Sequence, residues 1–301
     1  MKLNPTYKTI ETNGVKLHCA IQGKGPTMIF LHGFPEFWYC WKNQIPEFST
    51  KFRVVAPDMR GYNLSEKPEG VEQYRLDLLV KDILGLVKAL DGERIVLVGH
   101  DWGGIVAWAF AMKHPEFLKS LVILNAPHPA LFARELRDNP KQKRASEYTL
   151  MFSSLRGEEI LTRRNYQYLQ AAVFDGSLDP EVFLEQDRAQ YLKAWSQPGA
   201  VTGGLNYYRA NMSEGEVFTC VQQDSMYGVI HVPTMVIWGE KDTALTLGLL
   251  NGLEKHVKSL TIKRIPEATH WVQHDEPRLV NRYIWNFICR PTPNLAECQS
   301  K

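Results

Sequence analysis

The chain of 301 residues lacks a long apolar run, and none approaches the roughly 20 residues that a membrane-spanning helix needs. Its opening, "MKLNPTYKTIETNG", has neither the apolar core of a signal peptide nor a Ser- and Arg-rich transit pattern, so a soluble, cytoplasmic protein is expected. A surplus of one charge is missing too. Lysine and arginine number 35 against 33 aspartate and glutamate, which gives no basic excess for nucleic acid and no acidic block for a disordered tail. Cysteine is scarce: the five residues are widely spaced and form no C-x-x-C pair, which suits a reducing compartment and argues against a zinc site. Internal repeats and low-complexity tracts are also lacking. What is present is 44% hydrophobic residues in a chain long enough for a large core.

The pattern along the chain begins with two alternating segments around Asn13-Gly14, a hairpin signal. "TMIFLHG" (27–33), "FRVVAPD" (52–58) and "IVLVGH" (95–100) then read as buried strands. Between them Leu76, Leu79, Val80, Ile83, Val87 and Leu90 recur at helical spacing on one face. With "SLVILNAP" (120–127) this alternation predicts a mostly parallel sheet. From Pro129 to Tyr227 the strands stop and charged, aromatic, helix-favouring sequence takes over. Alternation returns with a strand in "PTMVIWGEKD" (233–242), a helix in "TALTLGLLNGLEKH" (243–256), a strand in "SLTIKRIP" (259–266) and a helix in "PRLVNRYIWNFI" (277–288). The expected organisation is a core of residues 1–128 and 228–290, a helical insertion over 129–227 and a C-terminal tail over 291–301.

At "IVLVGHDWGGIVAW" a strand, a glycine-rich turn and an apolar helix follow in succession. The frame Gly99-His100-Asp101-Trp102-Gly103 matches the nucleophile elbow G-x-S-x-G with a carboxylate in place of the serine. An aspartate before a helix is often only its N-cap. Here Gly99, Gly103 and Gly104 crowd an otherwise apolar junction, a composition that needs close backbone approach to justify it. A carboxylate attacking an acyl group would give an anhydride, whereas attack on a saturated carbon with a leaving group gives an ester that water can cleave. The expected substrates therefore carry electrophilic sp³ carbons.

Cleavage of that ester needs a base and oxyanion donors. His270 in "ATHW" follows a strand late in the chain, and Asp242 in "WGEKD" ends another. Taken alone His270 reads first as a structural or surface histidine and Asp242 as readily as a helix cap, but the order Asp101, Asp242, His270 repeats the nucleophile–acid–histidine order of elbow hydrolases. The oxyanion donors are expected to be the backbone N–H groups of Trp102 and of Phe34 in "HGFPEFWYCW". Pro35 restrains Phe34 to an extended conformation, through a bond that can be cis.

On these residues the chain resembles the α/β-hydrolase superfamily, and within it the epoxide hydrolases. "HGFPEFWYCW", "DMRGYNLSEKP", "GHDWGG", "NAPHP", "SQPGAVTGGLNYYRANM", "WGEKD" and "EATHW" look like that family's signatures in its order, over nearly the whole chain. The resemblance implies an α/β-hydrolase fold, a mostly parallel eight-stranded sheet flanked by helices with an inserted helical cap. It also implies two-step hydrolysis of a small hydrophobic epoxide by water to a vicinal diol, without metal or other cofactor, in a monomer or homodimer. Asp101 would then be the nucleophile, His270 the base and Asp242 its orienting acid. The family opens the ring with cap tyrosines, and the tyrosine before arginine in "LNYYRANM" is Tyr208, with Tyr207 left to packing. A second tyrosine is common in relatives. In "SEYTLMFSSL" Met151 occupies its place and Tyr148 lies one helical turn earlier, so either Tyr148 serves from a shifted helix, or one donor suffices, or the substrate is not an epoxide. Phe34, Pro35, Trp38, Trp102, Met151 and Trp271 are the residues expected to line the substrate pocket.

Two other readings remain open on sequence. A haloalkane dehalogenase would use the same Asp101, His270 and Asp242, but halide leaves without a proton and has no need of Tyr208. A fluoroacetate dehalogenase would carry an arginine at the position of Trp102. A non-catalytic binder of a small hydrophobic ligand often loses one of the catalytic set, and this chain keeps all three.

Overall fold

The computed structural model describes residues 2–91, 94–213, 216–218 and 228–289, so the expected tail over 291–301 and the expected insertion boundary at Tyr227 lie outside the described residues. Its strands are β1 (Thr6–Thr12), β2 (Val15–Gln22), β3 (Thr27–Leu31), β4 (Arg53–Pro57), β5 (Ile95–His100), β6 (Leu118–Leu124), the two-residue β7 (Met212–Ser213) and β8 (Glu216–Val217), β9 (Thr234–Gly239) and β10 (Leu260–Ile265). Eight of them form one sheet in the order β1-β2-β4-β3-β5-β6-β9-β10. The hairpin at Asn13-Gly14 pairs β1 with β2 antiparallel, and β2 runs antiparallel to β4; the remaining pairs of this sheet are parallel, and β7 and β8 pair antiparallel apart from it. Strands β3, β5 and β6 are buried almost throughout, as continuous aliphatic runs in a parallel sheet require.

Helix α1 (Ile45–Phe48) precedes β4, and α2 (Leu76–Ala89) buries Leu76, Leu79, Val80, Ile83, Leu86 and Val87 on its predicted face. Helix α3 (Asp101–Lys113) is buried nearly all round, from Asp101 to Met112. That is the environment expected of a helix without a polar face.

Between β6 and β9 the chain is largely helical: α4 (Pro129–Asp138), α5 (Pro140–Ala145), α6 (Tyr148–Ser153), α7 (Gly157–Gln170), α8 (Glu185–Trp195) and α9 (Ala200–Asn211). Asn139 separates α4 from α5, its side chain capping the Lys141 N–H at 3.0 Å while Pro140 fills the first helical position. Inside α7, Arg164, Asn165 and Tyr166 take left-handed φ values of 48°, 55° and 62°. Each such residue is disfavoured by about 1–2 kcal/mol relative to right-handed helix. Residues Ala171–Asp175 then form a single π-helical turn.

One expected element is absent. Residues 243–256 form two short 3₁₀ turns, Leu247–Leu250 and Leu253–Lys255, where a helix was anticipated. Leu249 and Leu253 are buried as that pattern asks, but Gly252 stands at φ +84° and interrupts any continuous helix. Helices α10 (Val272–Asp275) and α11 (Pro277–Ile288) complete the described chain. Among the described residues no helix is long and apolar enough to cross a membrane.

The elbow depends on close contact between α3 and the strand beside it. A Cβ on Gly103 would stand 2.3 Å from the Leu31 carbonyl oxygen and 2.5 Å from that of His32, both fixed backbone. Gly103→Ala is therefore expected to lower stability by roughly 1–3 kcal/mol in urea unfolding, the range for overpacking a tight core; an unchanged midpoint would show that the junction yields freely.

Candidate active site

Residues following the C-terminal ends of β3, β5, β9 and β10 converge where ligands bind in open α/β sheets. Asp101 follows β5 directly and adopts φ +50°, a left-handed conformation for a non-glycine residue that turns the chain abruptly into α3. Its Oδ1 accepts the Phe34 N–H at 2.8 Å. Gly33 makes that approach possible, since a Cβ there would lie 2.2 Å from the same oxygen.

The loop carrying Phe34 is held from several sides. The Phe34–Pro35 peptide is cis. His32 Nε2 accepts the Met59 N–H at 2.9 Å, so its Nδ1 carries the proton and donates to the Gly33 carbonyl at 2.9 Å. Burial lowers the His32 pKa, consistent with that neutral tautomer. Trp195 of α8 donates its indole N–H to the Pro35 carbonyl at 2.6 Å. Glu36, fully buried, accepts from Tyr191 at 2.6 Å and from Gln273 at 3.0 Å, and pairs with His274 at 2.7 Å and His100 at 3.4 Å. Burial alone would raise the Glu36 pKa; His274 and His100 outweigh it and hold the carboxyl well below the usual range.

His270 lies in the loop after β10, between two carboxylates. Its Nδ1 is 2.7 Å from Asp242 Oδ2, and its Nε2 is 3.6 Å from Asp101 Oδ2. The second distance is too long for an ordinary hydrogen bond but close for two charges. Burial favours the neutral ring, yet Asp242 and Asp101 more than offset it and raise the His270 pKa to about 10. Asp242 is held in turn: its Oδ1 accepts the N–H groups of Ala244 and Leu245, both at 2.8 Å, and its Oδ2 accepts the Asn125 amide at 2.8 Å. Against the effect of burial, His270 and these donors lower its pKa.

Asn125 is the residue that sequence reasoning missed. It sits just past β6 at φ +34°, bonds both the N–H and the C=O of Gly239 at the end of β9, and aims its amide at Asp242. The signal was its place at a strand end in "NAPHP", where asparagine tolerates a left-handed backbone.

A cavity of about 490 Å³ opens over Asp101 and His270, walled by Phe34, Pro35, Tyr148, Phe152, Tyr208 and Trp271 among others. The rings of Tyr148 and Tyr208 are 6.3 Å apart at 78°, and burial, first among the causes, pushes both hydroxyl pKa values upward. Both phenols therefore stay protonated at neutral pH. Three expected pocket residues are placed elsewhere. Trp38 packs against Tyr7, Phe37 and Tyr39 away from the cavity, and its backbone N–H donates to Asp58 at 3.1 Å. Met151 is half-buried outside the lining, whereas Tyr148, at the start of α6, faces the cavity. The Trp102 ring lies outside the lining, edge-on to Tyr208 at 5.1 Å, and its side chain bears on the site through a hydrogen bond to that tyrosine. Tyr207 donates its hydroxyl to the Arg60 carbonyl at 2.8 Å, a packing role. Among the described residues no group of three or more His, Cys, Asp or Glu side chains could hold a metal ion.

Residues 26–277 match the family model of the alpha/beta hydrolase fold. The chain belongs to the α/β-hydrolase superfamily, in the branch of the epoxide hydrolases. It is 40% identical over 284 residues to the AB hydrolase superfamily protein YfhM of Bacillus subtilis (strain 168), covering 93% of this chain and 96% of that protein. It is 35% identical over 290 residues to epoxide hydrolase 3 of Xenopus tropicalis, covering 94% of this chain and 77% of that one. The crystal structure of a Bacillus megaterium epoxide hydrolase in complex with an inhibitor superposes with a TM-score of 0.88 at 38% identity, over 94% of this chain and all of that one.

The two carboxylates around His270 give a direct expectation. Asp101→Asn removes one of them, so the His270 pKa should fall by about 1–3 units in an NMR titration. Because the folded pKa is raised, the stability it contributes is complete below the unfolded value of about 6.5 and is lost as pH rises through about 10. In the variant that loss should be smaller and should be complete at lower pH; an unmoved His270 titration would mean that Asp101 is not its electrostatic partner.

Proposed function

We propose that the protein is an epoxide hydrolase working through an aspartyl ester. The observation that carries this reading is a carboxylate at the elbow, Asp101, sharing one cavity with His270 and with the two protonated phenols Tyr148 and Tyr208. A carboxylate nucleophile selects electrophilic sp³ carbon, and a strained ring whose leaving group is an alkoxide needs a proton donor.

In the proposed sequence, substrate binds with its ring oxygen toward Tyr208 and Tyr148. Asp101 Oδ1 is engaged by the Phe34 N–H, which leaves Oδ2, on the His270 side, as the attacking oxygen. As the C–O bond to Asp101 forms, the ring C–O bond breaks and its oxygen takes a phenolic proton. Esterification removes the Asp101 charge, one of the two that hold the imidazolium protonated. Its proton is then released more readily and passes through solvent to the phenolate left by ring opening, and the neutral ring takes another from water as that water attacks the ester carbonyl carbon. The N–H groups of Phe34 and Trp102 would stabilise the tetrahedral oxyanion, and collapse returns Asp101 and frees the diol. In this scheme helices α4–α9 serve as the cap, since α6 and α9 supply the two phenols.

The cavity volume lies within the range of pockets for drug-sized ligands. Its aromatic walls suit an epoxide bearing an aryl group. A mutant of the Bacillus megaterium enzyme was solved with its product (R)-3-[1]naphthyloxy-propane-1,2-diol, a bulky aryl ether diol of that kind.

The test is intact-protein mass spectrometry of His270→Gln after incubation with styrene oxide and, separately, butyl bromide. An adduct from the epoxide, mapped to Asp101, is expected. An adduct from the bromide alone would make the protein a haloalkane dehalogenase, and none from either would leave an unsuitable substrate or a binding protein, which a wider epoxide panel separates. Tyr208→Phe should slow ester formation from styrene oxide about a hundredfold, the usual contribution of a general acid. Transient kinetics that find the same loss with butyl bromide would count against proton donation.

A further inference from the structure

One wall of the cavity is built from the end of α7 and the π-helical turn, through Tyr168, Leu169, Ala172, Asp175 and Gly176. Upstream this wall is reached through the three left-handed residues Arg164, Asn165 and Tyr166, a backbone that L-residues disfavour. Downstream it is tied to the loop that carries the catalytic base. The Trp271 indole N–H donates to the Ala172 carbonyl at 2.8 Å. Four residues further along, Asp275 accepts the Leu178 N–H at 2.8 Å through Oδ1, while its Oδ2 accepts the N–H and hydroxyl of Thr269, both at 2.7 Å.

Trp271 itself stands edge-on to His270, with ring centroids 4.8 Å apart at 85°. It lines the cavity and is 6% exposed, so its indole N–H needs a partner within the protein. Gly176 leaves room for that bond: a Cβ there would lie 2.2 Å from the Ala172 oxygen and 3.1 Å from the indole nitrogen. A π-helical turn changes the carbonyl pattern of a helix locally, and such turns recur at functional sites.

We propose that Trp271 is a positioning residue: its bond to the Ala172 carbonyl fixes the π-turn wall against the His270 loop and so sets the size and closure of the substrate cavity. The structural half of this proposal stands without any assumption about the reaction. Its kinetic half rests on the epoxide-hydrolase reading. Substrate that fills the cavity presses on a wall held in place by this contact, so losing it weakens binding before it weakens ester formation.

Trp271→Phe removes the donor and keeps an aromatic ring beside His270. Hydrogen exchange on the substrate-free protein should then show the amides of residues 173–178 exchanging about tenfold faster, the effect of one lost buried hydrogen bond, with those of β3 and β5 unchanged. Gly176→Ala breaks the same contact from the other side and should reproduce the pattern with Trp271 intact. Unchanged exchange in both variants would overturn the proposal whatever reaction the protein catalyses. With styrene oxide, Trp271→Phe should raise KM about tenfold, with the smaller part of the loss in kcat. A fall in kcat at constant KM would assign Trp271 to the chemistry of His270 and overturn its role at the wall. Absence of turnover by the wild-type chain would fail the epoxide reading alone, because the exchange result decides the contact independently.

Discussion

A single imidazole between two carboxylates is the arrangement on which the rest of the site depends. His270 lies 2.7 Å from Asp242 and 3.6 Å from Asp101, and their charges together raise its pKa against the contrary effect of burial. Asp242 is the permanent partner, since two backbone N–H groups and Asn125 hold it as an anion. In the proposed mechanism Asp101 is the variable one, because its charge would vanish when its oxygen forms an ester. On that proposal the same ring would be an imidazolium in the resting protein and a base in the intermediate.

That arrangement needs four strand ends at fixed separation, and the parallel sheet provides them. β3 presents the Phe34 loop, β5 the elbow, β9 Asp242 and β10 His270. The helical segment contributes from the other side. Tyr191 and Trp195 of α8 bond Glu36 and Pro35 of the Phe34 loop, and Tyr148 and Tyr208 complete the cavity. The buried Glu36 group also reaches His100, which precedes Asp101, and His100 in turn meets the His270 carbonyl at 2.9 Å. Loop, elbow and base are thus linked below the cavity as well as at it.

Much of this was legible in the residues because it is local. The glycines around Asp101, the β-branched strand before it and the order Asp101, Asp242, His270 are one-dimensional signals, and they lead to three side chains that the fold brings together. What was not legible depends on neighbours remote in sequence. Asn125 matters because β6 lies beside β9, which no spacing reveals. Trp38 shares the loop of Phe34 but turns toward Tyr7 and Tyr39, so proximity along the chain misled. Tyr148 and Met151 lie three residues apart on α6, and only the packing of that helix decides which of them meets the cavity. Residues 243–256 carry a helical leucine spacing, but the left-handed Gly252 overrides it.

The central claim is that Asp101 itself, not a water molecule, attacks the substrate, and one turnover in heavy-oxygen water tests it. With enzyme in excess over styrene oxide, the ester route hands an existing Asp101 oxygen to the diol and places the heavy oxygen in the Asp101 carboxylate. Mass spectrometry of the peptide containing Asp101 should therefore find the label there, with the first diol unlabelled. A labelled diol and an unlabelled Asp101 would mean that water attacks directly, and the covalent account would be wrong.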